Sequence, residues 1–390
     1  MAVTINVRPE VTVLGQPVSR INMAYNEYVF GFGFTSIPST ATSLKVEVQV
    51  LTAAGVLVDT IEVYEDVVYA GQFIPLHNSA HVNVSGVVRS MITDLSAMTG
   101  TLYNDTSLHV LFKLKYREVY WYNGSKVEGS WIADAEVYTA VRGVEQIGSF
   151  SNLNGNTPYK VVYCADDPSM YAGLLTMFDY SIPCWTGYQR DVSFIVNTGS
   201  AAMTFSRLPT GATTAIAATT APKLYRCLID PGVVYNDASI RLLGVKAGEI
   251  CCRQYTIDQR TAGMNPFYVR WINPRGGFDY WMFEKRQILN KVSSDNKLVG
   301  RNISTLNAAR GSHKVYSRNG ASTIQAGAVS LSETEYNALA TIQYSPRVEY
   351  LSGTNWMEII PDNGDHQLIN DKPCGEIEYI FALPQTLMSY

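Results

Sequence analysis

The sequence is poor in charge. Asp, Glu, Lys and Arg supply 16% of its 390 residues, against about 25% in typical soluble domains. The net charge is −4, and the densest positive stretches, KLKYREVYW and EKRQILNK, interleave acids with bases. No basic stripe is left for a phosphate backbone, so nucleic acid is not expected as the principal ligand. No run approaches the roughly 20 apolar residues that span a bilayer. The opening MAVTINVRPEV has no basic segment ahead of an apolar one, so neither membrane insertion nor a signal peptide is expected. The six cysteines, at 164, 184, 227, 251, 252 and 374, contain no C-x-x-C pair. Without a signal peptide they read as reduced, buried, small apolar residues rather than a disulfide framework.

Catalytic patterns are also missing. There is no G-x-S-x-G, no P-loop and no H-E-x-x-H. GFGFT at 31–35 lacks a third glycine and a following helix, and reads as a strand. Histidines number five; His77 and His81 have i,i+4 spacing, but PLHNSAH reads as a loop, and His109, His313 and His366 are scattered. A zinc site would have to gather ligands from distant segments. DNGDH, with Asp362 and Asp365, has the composition of a calcium loop but lacks the distal Glu, and reads first as a turn. A glycosidase needs two carboxylates facing one bond across a cleft. Asp166, Asp167, Asp279 and Glu284 are candidates of the kind any chain this long contains. Asp279 is expected rather to pair with Arg270 or Arg275. No catalytic residue, cofactor or metal is expected, and the chain reads as a non-enzyme.

What the sequence has in quantity is tyrosine, 25 residues, beside Ser, Thr and Asn. Tyrosine offers a large apolar body with a polar tip, which suits protein–protein contacts as well as β-strands. The aromatics crowd in FYVRWINPRGGFDYWMFE, residues 267–284. Asn273-Pro274 starts a turn and Gly276-Gly277 permit the positive φ that closes it. On one side Phe267, Val269 and Trp271 alternate with Tyr268, Arg270 and Ile272; on the other Phe278, Tyr280 and Met282 alternate with Asp279, Trp281 and Phe283. This is a β-hairpin that is apolar on both faces and therefore has to be covered on both. Trp271, Tyr280, Trp281 and Trp356 are the candidate interface or glycan-stacking residues, with core packing favoured for Trp271 and Trp281.

At this length two to three domains are expected. Residues 1–150 alternate as strands: Val46, Val48 and Val50 run to a turn at Ala54-Gly55, and a long hairpin turns at Asn123-Gly124. VNVSGVVRSMITDLS is the one helix expected there. GVEQIGSFSNLNGNTPYK marks a break, and a second antiparallel sandwich that includes the aromatic hairpin is expected over 158–290. Its insertion 198–222 reads as a mobile excursion or interface arm. From 291 the chain is Ser/Asn/Lys-rich and weakly periodic until LSETEYNALATI, a helix with Ser332 as N-cap and Glu335 completing a capping box. RVEYLSGTNWMEIIP, turning at Gly353, and GEIEYIFAL complete a small α+β unit over 291–390.

Three stretches carry a resemblance. FYVRWINPRGGFDYWMFEKRQ resembles a segment of virion proteins of tailed phages infecting Bacteroidetes, the crAss-like group included. The run from LSETEYNALATI through SPRVEYLSGTNWMEIIP to GEIEYIFAL is similar to their final module, and INVRPEVTVLGQPVSRINMAYNEYVFGF to their start. The resemblance implies a mainly β protein with two immunoglobulin-like antiparallel β-sandwich domains followed by the α+β module. It also implies a structural part of the tail or head–tail neck, made in the bacterial cytoplasm and carried in the virion. Its partners would be other copies of itself and other virion proteins. A glycan-binding, receptor-recognising tail component is the alternative.

Overall fold

The computed structural model describes residues 3–8, 11–13, 16–18, 21–38, 40–66, 79–93, 102–143, 162–164, 167–178, 181–197, 203–207, 212–216, 223–229, 239–246, 249–251, 254–300, 313–362, 375–384 and 386–389. Among these the chain is mainly β, in several antiparallel sheets, with two α-helices, Ser85–Met91 and Glu333–Ala340. No described helix is long and apolar enough to cross a membrane. Two compact units are formed, each from separated stretches. The first comprises Met1–Thr176, Gln189–Ile257 and Asn273–Phe278; the second comprises Met177–Tyr188, Asp258–Ile272 and Asp279–Tyr390.

In the first unit one sheet runs in the order Ile21–Met23, Tyr138–Val141, His109–Tyr122, Thr42–Thr52, Leu57–Tyr64. Only its first pair is parallel. The alternation in SLKVEVQV does what it dictates: Val46, Val48 and Val50 are buried, with Phe112 and Leu114 of the neighbouring strand. Across the core lies a three-stranded sheet of Val3–Val7, Val29–Phe34 and Ser79–Asn83. It contributes Phe30, Phe32 and Val82, and the short helix adds Val88. Asn123 and Gly124 both take positive φ, 49° and 76°, as a two-residue hairpin turn requires.

The sequence break near 150 does not separate the sheets. Leu102–Asn104 pairs with Lys223–Ile229, which pairs with Arg190–Asn197. The 198–222 stretch, expected as an excursion, contains two strands, Met203–Arg207 and Ala212–Ile216. They pair with each other, and the first also pairs with Ser239–Lys246. Small polar residues hid them, because a ladder is held by backbone hydrogen bonds whatever its side chains.

The second unit corrects the expected placement of the aromatic hairpin. Its strand Phe267–Ile272 pairs with Val348–Ser352 of the C-terminal region. From there the order continues through Asn355–Asp362, Gly375–Ala382 and His313–Leu331 to Lys285–Gly300. The weakly periodic 291–327 stretch is thus largely two long paired strands. At its other end the order begins with Phe278–Phe283, beside Phe267–Ile272, so its first and last strands are separated in sequence only by Glu284. The order therefore returns to the stretch of chain on which it began. Helix Glu333–Ala340 has the capping box expected of Ser332 and Glu335. It is tied to the sheet by the Tyr379 hydroxyl, which donates to the Leu339 carbonyl at 2.7 Å.

The tip of the hairpin, within the first unit, shows why its sequence is NPRGG. The Asn273 side chain accepts from the N–H groups of Arg275 and Gly277 and donates through Nδ2 to the Leu175 carbonyl at 2.8 Å. Gly276 sits at φ 86°, where a Cβ would lie 2.3 Å from Val141 Cγ1. A Cβ on Gly277 would lie 2.1 Å from the Leu175 oxygen. Because Asn273 is fully buried, Asn273→Ala is expected to lower stability by roughly 2–3 kcal/mol. Urea denaturation checks this; a change within about 0.5 kcal/mol, as at an ordinary surface position, would show that the side chain does not hold the turn.

Candidate functional site

The second unit gathers the candidate residues on the two faces of the hairpin. On one face Phe267 and Phe283 pack with Phe381, ring centroids 5.5 and 5.8 Å away. Trp271, fully buried, donates from Nε1 to Thr341 Oγ1 at 2.9 Å. Residues of this unit also meet the other aromatics of the hairpin. Tyr268 lies 5.9 Å from Tyr280, 5.7 Å from Trp356, 6.1 Å from Trp185 and 5.1 Å from Tyr188. Trp281 meets Trp185 edge-on at 5.3 Å and stacks with Phe178 at 6.2 Å. Residues 177–188, never singled out in the sequence, thus supply part of this aromatic shell.

Of the four candidate residues, Trp271, Tyr280 and Trp281 are buried, at 0%, 1% and 4% exposure. Trp356 is half-buried, and Arg270 lies over its ring at 4.2 Å. Arg270 in turn pairs with Glu349 at 2.6 Å, and Arg347 holds the same carboxylate at 2.9 Å. Asp279 accepts the Met177 N–H at 2.9 Å.

A cavity of about 200 Å³ opens beside Glu284, lined by Trp185, Arg260, Trp281, Glu284 and the 327–329 stretch. It has room for a handful of waters at about 30 Å³ each. Its cation is already neutralised. Arg260 pairs with Asp258 at 2.6 Å and with Glu335, while lying over Trp281 at 5.1 Å and Trp185 at 5.6 Å. Burial pulls the guanidinium pKa down, but the hydrogen bonds to Glu335 and Asp258 outweigh it and raise the net value. Burial likewise pushes Glu335 up, and the bonds from Arg260 and Ser332 bring it below the ordinary carboxylate value. Glu284 accepts the Gly263 N–H. An arrangement in which each charge already has its counter-charge or donor is suited to holding strands in place.

The first unit has a second cluster, which the sequence did not announce. Buried Arg226 makes two bonds to Asp191, at 2.7 and 2.8 Å, and one to Asp105 at 3.0 Å. It also lies over the Phe278 ring at 4.5 Å. Ser107 donates to Asp105, and His109 Nδ1 lies 2.7 Å from the Asp105 carbonyl. Ser, His and Asp are close here, but the serine bonds the aspartate directly and the imidazole faces a backbone oxygen. That is not the Ser–His–Asp relay of a nucleophile. All five carboxylates that are buried among the described residues are engaged: Glu47 by Arg117, Asp105 and Asp191 by Arg226, Asp279 by Met177, and Glu349 by two arginines.

The other sequence candidates stay apart. His81 Nδ1 meets Asp66 at 2.7 Å on the surface. Cys184 and Cys227 are buried thiols outside any disulfide. No group of three or more metal-ligating residues occurs among the described residues. His77, Asp166 and residues 363–366 of the DNGDH loop lie outside them.

Two consequences can be measured. Arg226→Met leaves two buried carboxylates without their cation and is expected to cost about 3–5 kcal/mol; a loss below about 1 kcal/mol would show that the triad is dispensable. Burial holds the His109 imidazole below its ordinary value of 6.5, against a smaller upward pull from the Asp105 carbonyl. The unfolded chain therefore binds a proton that the native chain refuses, and stability falls as pH drops below 6.5 toward the native value. His109→Asn should flatten that part of the stability profile, and identical slopes would exclude the imidazole as its source. Compared with known proteins, the chain matches no family model and no curated protein.

Proposed function

We propose that this chain is a structural component of a tailed-phage particle, in the tail or the head–tail neck. It works by symmetric self-association and contact with other virion proteins, not by catalysis. On this reading its β-domains are immunoglobulin-like sandwiches and its C-terminal region the α+β module of the virion proteins it resembles. The observation that carries the proposal is the use made of the aromatic hairpin. The rings that would be an adhesin's platform are spent on packing, with Trp271, Tyr280 and Trp281 all buried. Aromatics used this way give a rigid part rather than a binding cleft. The low charge and the phage-like segments point in the same direction.

A glycan-binding role is the second reading, and Trp356 is what favours it, as the one candidate ring left half-exposed. Light scattering of the full chain across concentrations, with particles imaged from the same fractions, tests the first reading. A fixed oligomer with closed symmetry is expected, and a strict monomer at every concentration would remove self-association from the proposal. Trp281→Ala is expected to cost about 3–5 kcal/mol of stability. Trp356→Ala should leave the fold and the oligomer intact. Loss of glycan-array binding in that variant would transfer the function to the second reading.

A further inference from the structure

We infer that the cavity beside Glu284 is a binding site for one neutral sugar ring. This goes beyond both readings above, because all the walls come from one chain and Trp356 is not among them. Three local irregularities of the second unit bring the walls together. Strand Phe278–Phe283 ends and strand Lys285–Gly300 begins on either side of Glu284. The ladder between His313–Leu331 and Gly375–Ala382 slips between Ala328 and Leu331, where Ser330 has φ 59°. The 261–266 loop, whose Gly263 N–H is held by Glu284, contains Asn265 at φ 56°. Bulges and non-glycine residues in the left-handed region are costly, and they gather at ligand sites.

The surrounding network leaves several polar groups of these walls unused. Arg260 engages Asp258 and Glu335 through Nε and Nη2, and its Nη1 donors bond no described residue. Glu284 takes the Gly263 N–H on Oε1 at 3.2 Å, and its Oε2 accepts from no described residue. The Thr261 hydroxyl, also in the lining, and the buried Trp281 Nε1–H are likewise without a partner among the described residues. Donors and acceptors are thus both left over in one small space.

The balance of these groups selects the ligand. Among the described side chains, Asp258, Glu335 and Glu284 set three negative charges against the one positive charge of Arg260. A phosphate or carboxylate is therefore repelled. An ammonium ion carries donors only and leaves the Arg260 and indole N–H groups without an acceptor. A hydroxyl both donates and accepts, so the hydroxyls of one ring answer Glu284, Arg260 and Thr261 together. At about 200 Å³ the cavity is smaller than the roughly 300–1,000 Å³ of pockets for drug-sized ligands, which suits a single ring. Arg260 already lies over Trp185 and Trp281, so hydrogen bonds rather than ring stacking hold the sugar.

The test uses the full chain and the methyl glycosides of glucose, galactose, mannose and N-acetylglucosamine, read by saturation-transfer NMR. At least one is expected to bind with a millimolar Kd, as befits one small ligand held by a few hydrogen bonds. Glu284→Gln keeps an oxygen for the Gly263 N–H but loses the charged acceptor, and is expected to weaken binding by about tenfold or more. Thr261→Val removes the hydroxyl and should cost about threefold or more. Both should leave the circular dichroism spectrum unchanged, and Trp356→Ala should leave the binding intact. The same Glu284 dependence on a glycan array assigns the ring to the end of a glycan, and its restriction to the glycosides assigns a free sugar. No binding of any glycoside at about 50 mM, or binding that survives Glu284→Gln and is lost in Trp356→Ala, overturns the site. Glu284-dependent binding of n-butylammonium chloride where no glycoside binds overturns the ligand class. Light scattering of the same samples keeps the two proposals apart, since a monomer that binds the sugar removes self-association and not this site.

Discussion

A β-hairpin apolar on both faces imposes one demand on everything around it, because each face has to be removed from water by something. Burying an aromatic side chain is worth about 1.5–3 kcal/mol, so a layer of exposed rings would be a large and unspecific liability. In the second unit the demand is met twice over. Phe381, Tyr379 and the segment of helix ending at Thr341 cover one face, and Trp185, Tyr188 and Trp356 cover the other. The C-terminal strands and the 177–188 segment take their positions from this requirement, although the hairpin's own sequence names neither.

Covering the rings creates a second requirement, because the segments that do so bring charge into dry surroundings. A buried ion without its partner costs several kcal/mol, and the chain answers with pairs drawn from distant positions. Glu349 is flanked by Arg270 and Arg347, and Arg260 lies among Asp258, Glu335 and two indoles. Such networks add little net stability against an apolar alternative, but they penalise misplacement heavily. They are better understood as devices that fix which strand lies where than as sources of binding energy.

This separates what the sequence discloses from what it hides. The Asn123-Gly124 turn, the Ser332–Glu335 capping box, the short helix near 85 and the alternating Val46, Val48 and Val50 are local patterns, and local patterns are legible. The partner of Arg270 is not, because Asp279 lies closer along the chain than Glu349 and nothing local favours the farther residue. The two long strands spanning 285–331 and the strands inside 198–222 escaped for a different reason. Polar residues, Ser, Thr, Asn and Lys, interrupt their apolar ones, so no clear alternation betrays strands whose ladders are made by the backbone. The break near 150 misled because Leu102–Asn104 is bonded to Lys223–Ile229, a pairing of residues more than a hundred positions apart. Of the candidate residues, the core packing of Trp271 and Trp281 was legible, whereas the burial of Tyr280 and the half-exposure of Trp356 were not, since they depend on what another segment lays over the ring.

The two units also differ in how their sheets end. In the second unit the strand order comes back to the chain on either side of Glu284, so the hairpin's outer strand is continued by one that pairs with His313–Leu331. In the first unit Leu57–Tyr64 ends the order of described strands in its sheet, and just past it the Asp66 N–H donates to the Ser79 carbonyl at 2.8 Å. Proteins commonly blunt such an edge with lysine, proline or a bulge. Here the register against Thr42–Thr52 shifts between Asp59 and Leu57, a bulge of this kind, and Lys45 of the neighbouring strand bonds Glu62.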